Sequence, residues 1–141
     1  AVMAMIARGY LKLDPFEVWG NGEQIRNWTY VDDIVSGTIA TAEKIHDGTS
    51  INLGTMERIK VKDCADQVID TLNPGASIKL LTDKPTGPLN RVASNELAKE
   101  LLGWEPKTSF QVGLQKTIQW YIDSKTTEQA SADLTRKLVG R

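Results

Sequence analysis

Only one cysteine and one histidine occur among the 141 residues. With Cys64 alone there is no internal disulfide, and a reducing compartment is the natural setting. Cys64 is expected on the apolar face of a helix, as a small hydrophobe rather than a nucleophile. His46 has no cluster of Cys or Glu around it, which excludes the usual spacings of a zinc site and gives no start to a Ser/His or Cys/His triad. Charge of one sign is also missing. With 17 basic and 18 acidic residues the formal net charge is -1, which argues against a nucleic-acid partner, because a backbone-reading surface needs a clustered basic surplus. No apolar run is long enough to span a bilayer. The amino end, Ala1-Val2-Met3-Ala4-Met5-Ile6-Ala7-Arg8, lacks the basic-then-apolar-then-small order of a secretory leader. It reads as a helix entered mid-stream, so the chain is expected to be a portion of a longer, cytoplasmic protein.

What remains is ordinary globular material, 40% hydrophobic and 25% charged, enough for one domain with a core. Residues 1–12 predict a helix closed by Asp14-Pro15. Phe16-Glu17-Val18-Trp19 alternates as a strand. Gly20-Asn21-Gly22 follows as a tight turn, and Gln24 to Tyr30 as the returning strand, together a β-hairpin. Strand alternation places Arg26, Trp28 and Tyr30 on one side. Asp32 is the expected N-cap of a helix reaching about Ile45, with Ile34, Val35, Thr38, Ile39 and Ala42 as its apolar stripe. Residues 50–54 read as a short strand. Val61, Cys64, Ala65, Val68, Ile69 and Leu72 hold the cleanest helical period in the chain. Residues 77–81 predict another strand, followed by the Lys84-Pro85-Thr86-Gly87-Pro88 loop and Arg91. Ser94 can cap a helix closed by Gly103. Thr108-Ser109-Phe110-Gln111 matches a capping box before a helix with Phe110, Leu114, Thr117, Ile118 and Tyr121 inward. Residues 126–141 turn polar, a helical or disordered tail. The expected fold is a small mixed α/β domain of a β-hairpin, short strands and about five helices, over residues 1–125.

Gly20-Asn21-Gly22 is not a dinucleotide fingerprint. The third glycine is replaced by Ile25, and the turn leads to a strand, whereas a pyrophosphate needs the amides of a helix start. Arg26 has two readings. It is a solvated strand residue pairing with Asp32 or Asp33, or it is a phosphate clamp, for which its planar fork is suited. Arg91, just beyond a Pro/Gly loop, has the same ambiguity. Trp19, Trp28, Trp104 and Trp120 read first as packing, with Trp19 and Trp28 the candidates for lining a site because they flank Arg26.

Three stretches, taken together and in this order, resemble one family. Gly20-Asn-Gly-Glu-Gln24-Ile-Arg26-Asn-Trp28-Thr-Tyr30-Val-Asp32-Asp33 is similar to the substrate-lobe signature of the NAD-dependent nucleotide-sugar epimerases and dehydratases, the extended short-chain dehydrogenases. Ile51-Asn52-Leu53-Gly54 resembles that family's Asn-apolar-Gly strand. Gly87-Pro-Leu-Asn-Arg91, Leu101-Leu-Gly103-Trp104-Glu-Pro106 and Leu114-x-x-Thr117-Ile-x-Trp120-Tyr121 are similar to its carboxyl end. The resemblance implies a nucleotide-diphosphate-sugar ligand, with Arg26 and Arg91 on the diphosphate and Trp19, Gln24, Trp28 and Asn52 around the site. Asn27 and Asn95 stand where the family pattern has aspartates. It further implies a substrate-binding lobe without the Rossmann half. Such a lobe has no catalytic residues and binds no cofactor by itself, NAD(P) belonging to the full-length isomerases and lyases. An uncovered lobe of that kind is expected to pair as a homodimer or against the missing Rossmann half. The competing reading is a structural or interaction module with the ligand site abandoned. A third reading, a complete small oxidoreductase, rests on Tyr121-x-x-x-Lys125, which has the spacing of the family's catalytic pair but no cofactor fold before it.

Overall fold

The computed structural model describes residues 1–139, with side chains through Arg136. It is a mixed α/β structure. In chain order the elements are α1 (Val2–Tyr10), β1 (Phe16–Trp19), β2 (Ile25–Arg26), α2 (Val31–Lys44), β3 (Ile59–Lys60), α3 (Val61–Leu72), β4 (Ile78–Leu81), β5 (Asn90–Arg91), α4 (Glu96–Leu102), α5 (Phe110–Ser124) and α6 (Thr127–Val139). Among the described residues no helix is long and apolar enough to cross a membrane.

The residues fall into two compact units. The first takes Ala1–Gln24, Lys60–Leu89 and the chain from Thr117 onward. Its strands β1 and β4 run parallel, Phe16 opposite Ile78 and Trp19 opposite Leu81. α3 buries Cys64, Ala65, Val68, Ile69 and Leu72, the face its sequence period predicted. α1 packs closely on it. A Cβ added at Gly9 would stand 2.9 Å from a Val68 methyl. The stretch from residue 126 is helical as α6, with Ala130 and Leu134 buried. Tyr121 is 2% exposed, edge-on to Tyr10 at 5.7 Å, and Tyr10 Oη donates to Lys125 O at 3.0 Å.

Cys64 has no exposed surface, and burial pushes its thiol up to about 12. The neutral form is therefore favoured in the fold. Its stabilising effect is complete below about pH 8.5, the unfolded value, and fades as pH rises toward the folded one. Thiol reagents at pH 8 are expected to label Cys64 only at the rate of unfolding. Cys64→Ala is expected to flatten the alkaline limb of stability, as read by urea titration at pH 8 and pH 10.

The second unit takes Ile25–Ile59 and Asn90–Lys116. β2 lies between β3 and β5 in its sheet, and β2 and β5 are parallel. The core of this unit is Ala98, Leu102 and Trp104, with Ala40, Ile45, Ile51 and Leu53 packed on it. Two polar clamps organise it. The Asp33 carboxylate accepts from Lys107 N at 3.1 Å and Thr108 N at 2.9 Å. Glu57 Oε1 accepts from Phe110 N at 2.9 Å.

Several expectations are corrected. There is no β-hairpin from β1 to β2. The backbone groups that would close it are used elsewhere. Gly20 N donates to Leu81 O at 2.8 Å, while Gly22 O and Gln24 O accept from Lys62 N and Val61 N, each at 2.9 Å. The returning strand is only Ile25–Arg26, so the alternation read through Tyr30 does not hold. Asp32 lies inside α2, whose N-cap position is Tyr30. The stripe of α2 is inverted. Asp33 and Gly37 are buried while Val35 and Ile39 face outward, because Trp104 and Leu53 approach the helix so closely that only glycine fits at 37. Residues 50–54 form no strand. The capping box before α5 is not made as expected, since Ser109 Oγ and Glu57 serve the helix start. Among the described residues there are six helices, where about five were expected.

Candidate functional site

Arg26 and Arg91 come from strands with no residue of sequence in common, yet they are direct register partners on the β2–β5 ladder. In a parallel ladder, partners in register project from the same face, and neighbouring strands lie about 4.8 Å apart. Two guanidinium groups are thus based side by side on one face of one small sheet. Like charges set opposite each other are unfavourable, and an anion bridging them removes that penalty. Arg26 is half-buried and folds back so that Nη1 donates to Ile25 O at 2.7 Å. Arg91 is exposed. The two carboxylate oxygens of Asp33, one proposed partner of Arg26, are already used by Lys107 N and Thr108 N.

The segment after Arg26 is pinned by side chains standing in for a ladder. Asn27 Nδ2 donates to Thr55 O at 3.1 Å, and Thr55 N donates to Thr29 Oγ1 at 3.0 Å. A carboxylate at 27 has no proton to donate there, so the asparagine that departs from the family pattern makes a bond an ionised aspartate would not. A Cβ at Gly54 would meet Asn27 Nδ2 at 3.1 Å, so this contact depends on glycine. The alternating polar side chains of Asn27 and Thr29 were the available signal for this clamp, and reading the stretch as a strand hid it. Tyr30 is also held, with Lys116 Nζ 5.1 Å from its ring centre.

The other candidates divide. Trp28 is stacked on Phe110, centroids 5.6 Å apart, and so has a packing partner. Asn52 is exposed. Trp19 and Gln24 belong to the first unit. Trp19 is half-buried at the end of β1, and Gln24 Nε2 donates to its carbonyl at 3.4 Å. Gln24 is 3% exposed, and its Oε1 has no hydrogen-bond partner among the described residues. The glycine turn beside it does not fit a dinucleotide phosphate. Its Gly20 amide is committed to Leu81, and Gln24 and Thr86 fill the space where a Gly20 Cβ would stand.

Tyr121 and Lys125, which have the spacing of a catalytic pair, are each engaged within the fold. Burial pushes the Tyr121 phenol up, with Asp133 and Tyr10 adding to the shift, the reverse of what proton abstraction needs. Lys125 Nζ is paired with Asp133 at 3.1 Å. Among the described residues no group of His, Cys, Asp and Glu could hold a metal ion.

The mixed α/β structure carries the Gly-x-Gly-x-Gln-x-Arg segment, with its Arg26 in register with Arg91. The family model for GDP-mannose 4,6 dehydratase matches residues 1–117, and the chain belongs to that family. It is 33% identical over 131 residues to UDP-glucuronic acid decarboxylase 2 of Arabidopsis thaliana, covering 89% of this chain and 29% of that protein. It is 32% identical over 128 residues to dTDP-glucose 4,6-dehydratase of Escherichia coli, covering 82% and 35%. Among solved structures, UDP-glucuronic acid 4-epimerase from Bacillus cereus, in complex with UDP-glucuronic acid and NAD, superposes with a TM-score of 0.79 at 26% identity, over 89% of this chain and 40% of that one. The chain thus spans about a third of the length of these relatives.

Proposed function

We propose that this chain is the nucleotide-diphosphate-sugar-binding lobe of an NAD-dependent epimerase or dehydratase. Arg26 and Arg91 hold the diphosphate. Asn52 and Trp28, in the same unit as the two arginines, contribute to the surroundings of the ligand. The in-register pairing of the two arginines is the observation that carries this reading. Each guanidinium–phosphate contact contributes on the order of 1.5–3 kcal/mol. The relatives support a nucleotide-diphosphate sugar, since they are named for UDP, dTDP and GDP sugars. Hydride chemistry belongs to NAD(P) bound by the remainder of such an enzyme. This chain contributes binding and orientation and no catalytic step of its own.

The test is titration calorimetry with UDP-glucuronic acid, UDP-glucose and dTDP-glucose. Arg26→Ala and Arg91→Ala are each expected to weaken binding by about tenfold to a hundredfold, and Arg91→Lys to recover part of it by keeping charge without the fork. Affinity is expected to fall as salt rises. Unchanged affinity in both alanine variants overturns the assignment. No binding of any nucleotide sugar by the wild-type chain favours a non-enzymatic interaction module. NADH binding with fluorescence enhancement would instead favour a complete small oxidoreductase.

A further inference from the structure

α5 and α6 are two helices where the sequence would allow one. From Leu114 to Val139 the chain has neither glycine nor proline, the residues that most often end a helix. Yet α5 stops at Ser124 and α6 starts at Thr127. The break is held by side chains. In a continuous helix Thr126 N would donate to Ile122 O, and Gln129 N to Lys125 O. Here Thr126 N donates to Gln129 Oε1 at 3.1 Å and Gln129 N to Thr126 Oγ1 at 3.3 Å, a reciprocal capping box. The Lys125 carbonyl accepts instead from Tyr10 Oη of α1 at 3.0 Å. An ion pair closes the elbow, Lys125 Nζ to Asp133 Oδ2 at 3.1 Å.

Folded back in this way, α6 lies against α1, within the first unit. α1 buries Met5, Ile6, Ala7, Arg8 and Gly9 in succession, more than a full turn, so it is covered on every side. α3 covers the side of Gly9, and α6 covers another. The cover is held by little. Among the described side chains of α6 only Ala130 and Leu134 are buried, and α6 lies beyond residues 1–117 matched by the family model. An element with so few buried contacts opens at lower cost than the core helices. Straightening restores the two helical hydrogen bonds that the elbow gives up, so what opening loses is the seat of Ala130 and Leu134, the Tyr10 bond and the ion pair. The occupant shown to fit that seat on α1 is α6 itself, and α6 of a second copy brings the same contacts. Exchange of an identical element is a low-cost route to a dimer.

We infer that Lys125 and Thr126 form a two-state elbow. α6 either straps α1 of its own chain, or straightens onto the end of α5 and straps α1 of a second copy. The inference is independent of ligand binding by Arg26 and Arg91.

The test is the distance between nitroxide labels at Gln119→Cys and Thr135→Cys, in a Cys64→Ala background, by pulsed electron spin resonance. Labelled chain is diluted with unlabelled chain, so that only distances within one chain are read. A continuous helix sets the two labelled positions about 24 Å apart along its axis, and the folded elbow sets them closer. The shorter distance is expected at micromolar concentration. The longer one is expected to grow toward millimolar, in step with a dimer seen by sedimentation. Thr126→Ala removes the cap of the folded form and is expected to tighten the dimer by roughly tenfold or more, since each dimer gives up two caps. Thr127→Pro suits the first position of α6 but not the interior of a continuous helix, so it is expected to keep the shorter distance and the monomer at every concentration. The shorter distance alone at all concentrations, in both the background chain and Thr126→Ala, overturns the inference. So does a longer distance that does not change with concentration, or a dimer that forms equally well in Thr127→Pro.

Discussion

Trp104→Ala is expected to destabilise the protein by about 3–5 kcal/mol, the range for deleting a buried tryptophan. Trp104 joins Ala98 and Leu102 at the centre of the second unit, and Ala40, Ile45, Ile51 and Leu53 pack on that cluster. Removing the indole takes away their cover. It also breaks the 2.9 Å bond from Nε1 to Ser36 Oγ. Gly37 is fitted so closely against Trp104 and Leu53 that an added Cβ would lie 2.9 Å from each, so the helix cannot easily collapse into the space left. Trp104→Phe keeps most of the apolar contact and is expected to recover more than half of the loss. Trp120→Ala is the control, since Trp120 is exposed on α5, and it is expected to cost about 0.5–1 kcal/mol. Urea unfolding followed by circular dichroism separates them. A loss below about 1 kcal/mol for Trp104→Ala would contradict the core as described.

Asp33→Ala is expected to cost roughly 2–4 kcal/mol, because it orphans two backbone donors that now meet a carboxylate. Lys107 N and Thr108 N each bond a different oxygen of the same group. The residue is buried in the first turn of α2, where a negative charge is also favoured by the helix end. Asp33→Asn retains one acceptor and replaces the other with a donor facing a donor, so it is expected to fall between wild type and alanine. Asp32→Ala, one position earlier and exposed, is expected to change stability by less than about 0.5 kcal/mol. The comparison is read from denaturation midpoints at constant m. Equal effects at 32 and 33 would contradict the clamp.

Where a segment's burial follows from its own spacing, the sequence was a good guide. The inner faces of α3 and α5 are single periodic surfaces, and they pack as read. The arginine pair was also within reach, because Arg26 and Arg91 each follow a turn or loop that suggests a site. Their register partnership was not, since it depends on strands about sixty residues apart finding each other. The same non-locality explains the hairpin error. Gly20-Asn21-Gly22 has every local mark of a hairpin turn, but β4 and Lys62 supply the hydrogen bonds a hairpin partner would have made. α2 was misread for a different reason. A helix with apolar residues on two sides has no unique inner stripe, and the side that packs is chosen by a glycine and a buried aspartate that a hydrophobic count ignores. Residues 50–54 have the composition of a strand and nothing in the described chain to pair with.

The two units are threaded through one another along the chain. The boundary is crossed after Gln24, Ile59, Leu89 and Lys116, so no single cut or gene fusion point separates them. Neither unit is expected to survive as a contiguous excised fragment, and the ribosome must release the chain at least through Lys116 before the second unit can close. Recombination between relatives would have to exchange four junctions in concert to transplant one unit alone, which favours inheritance of this stretch as an indivisible block.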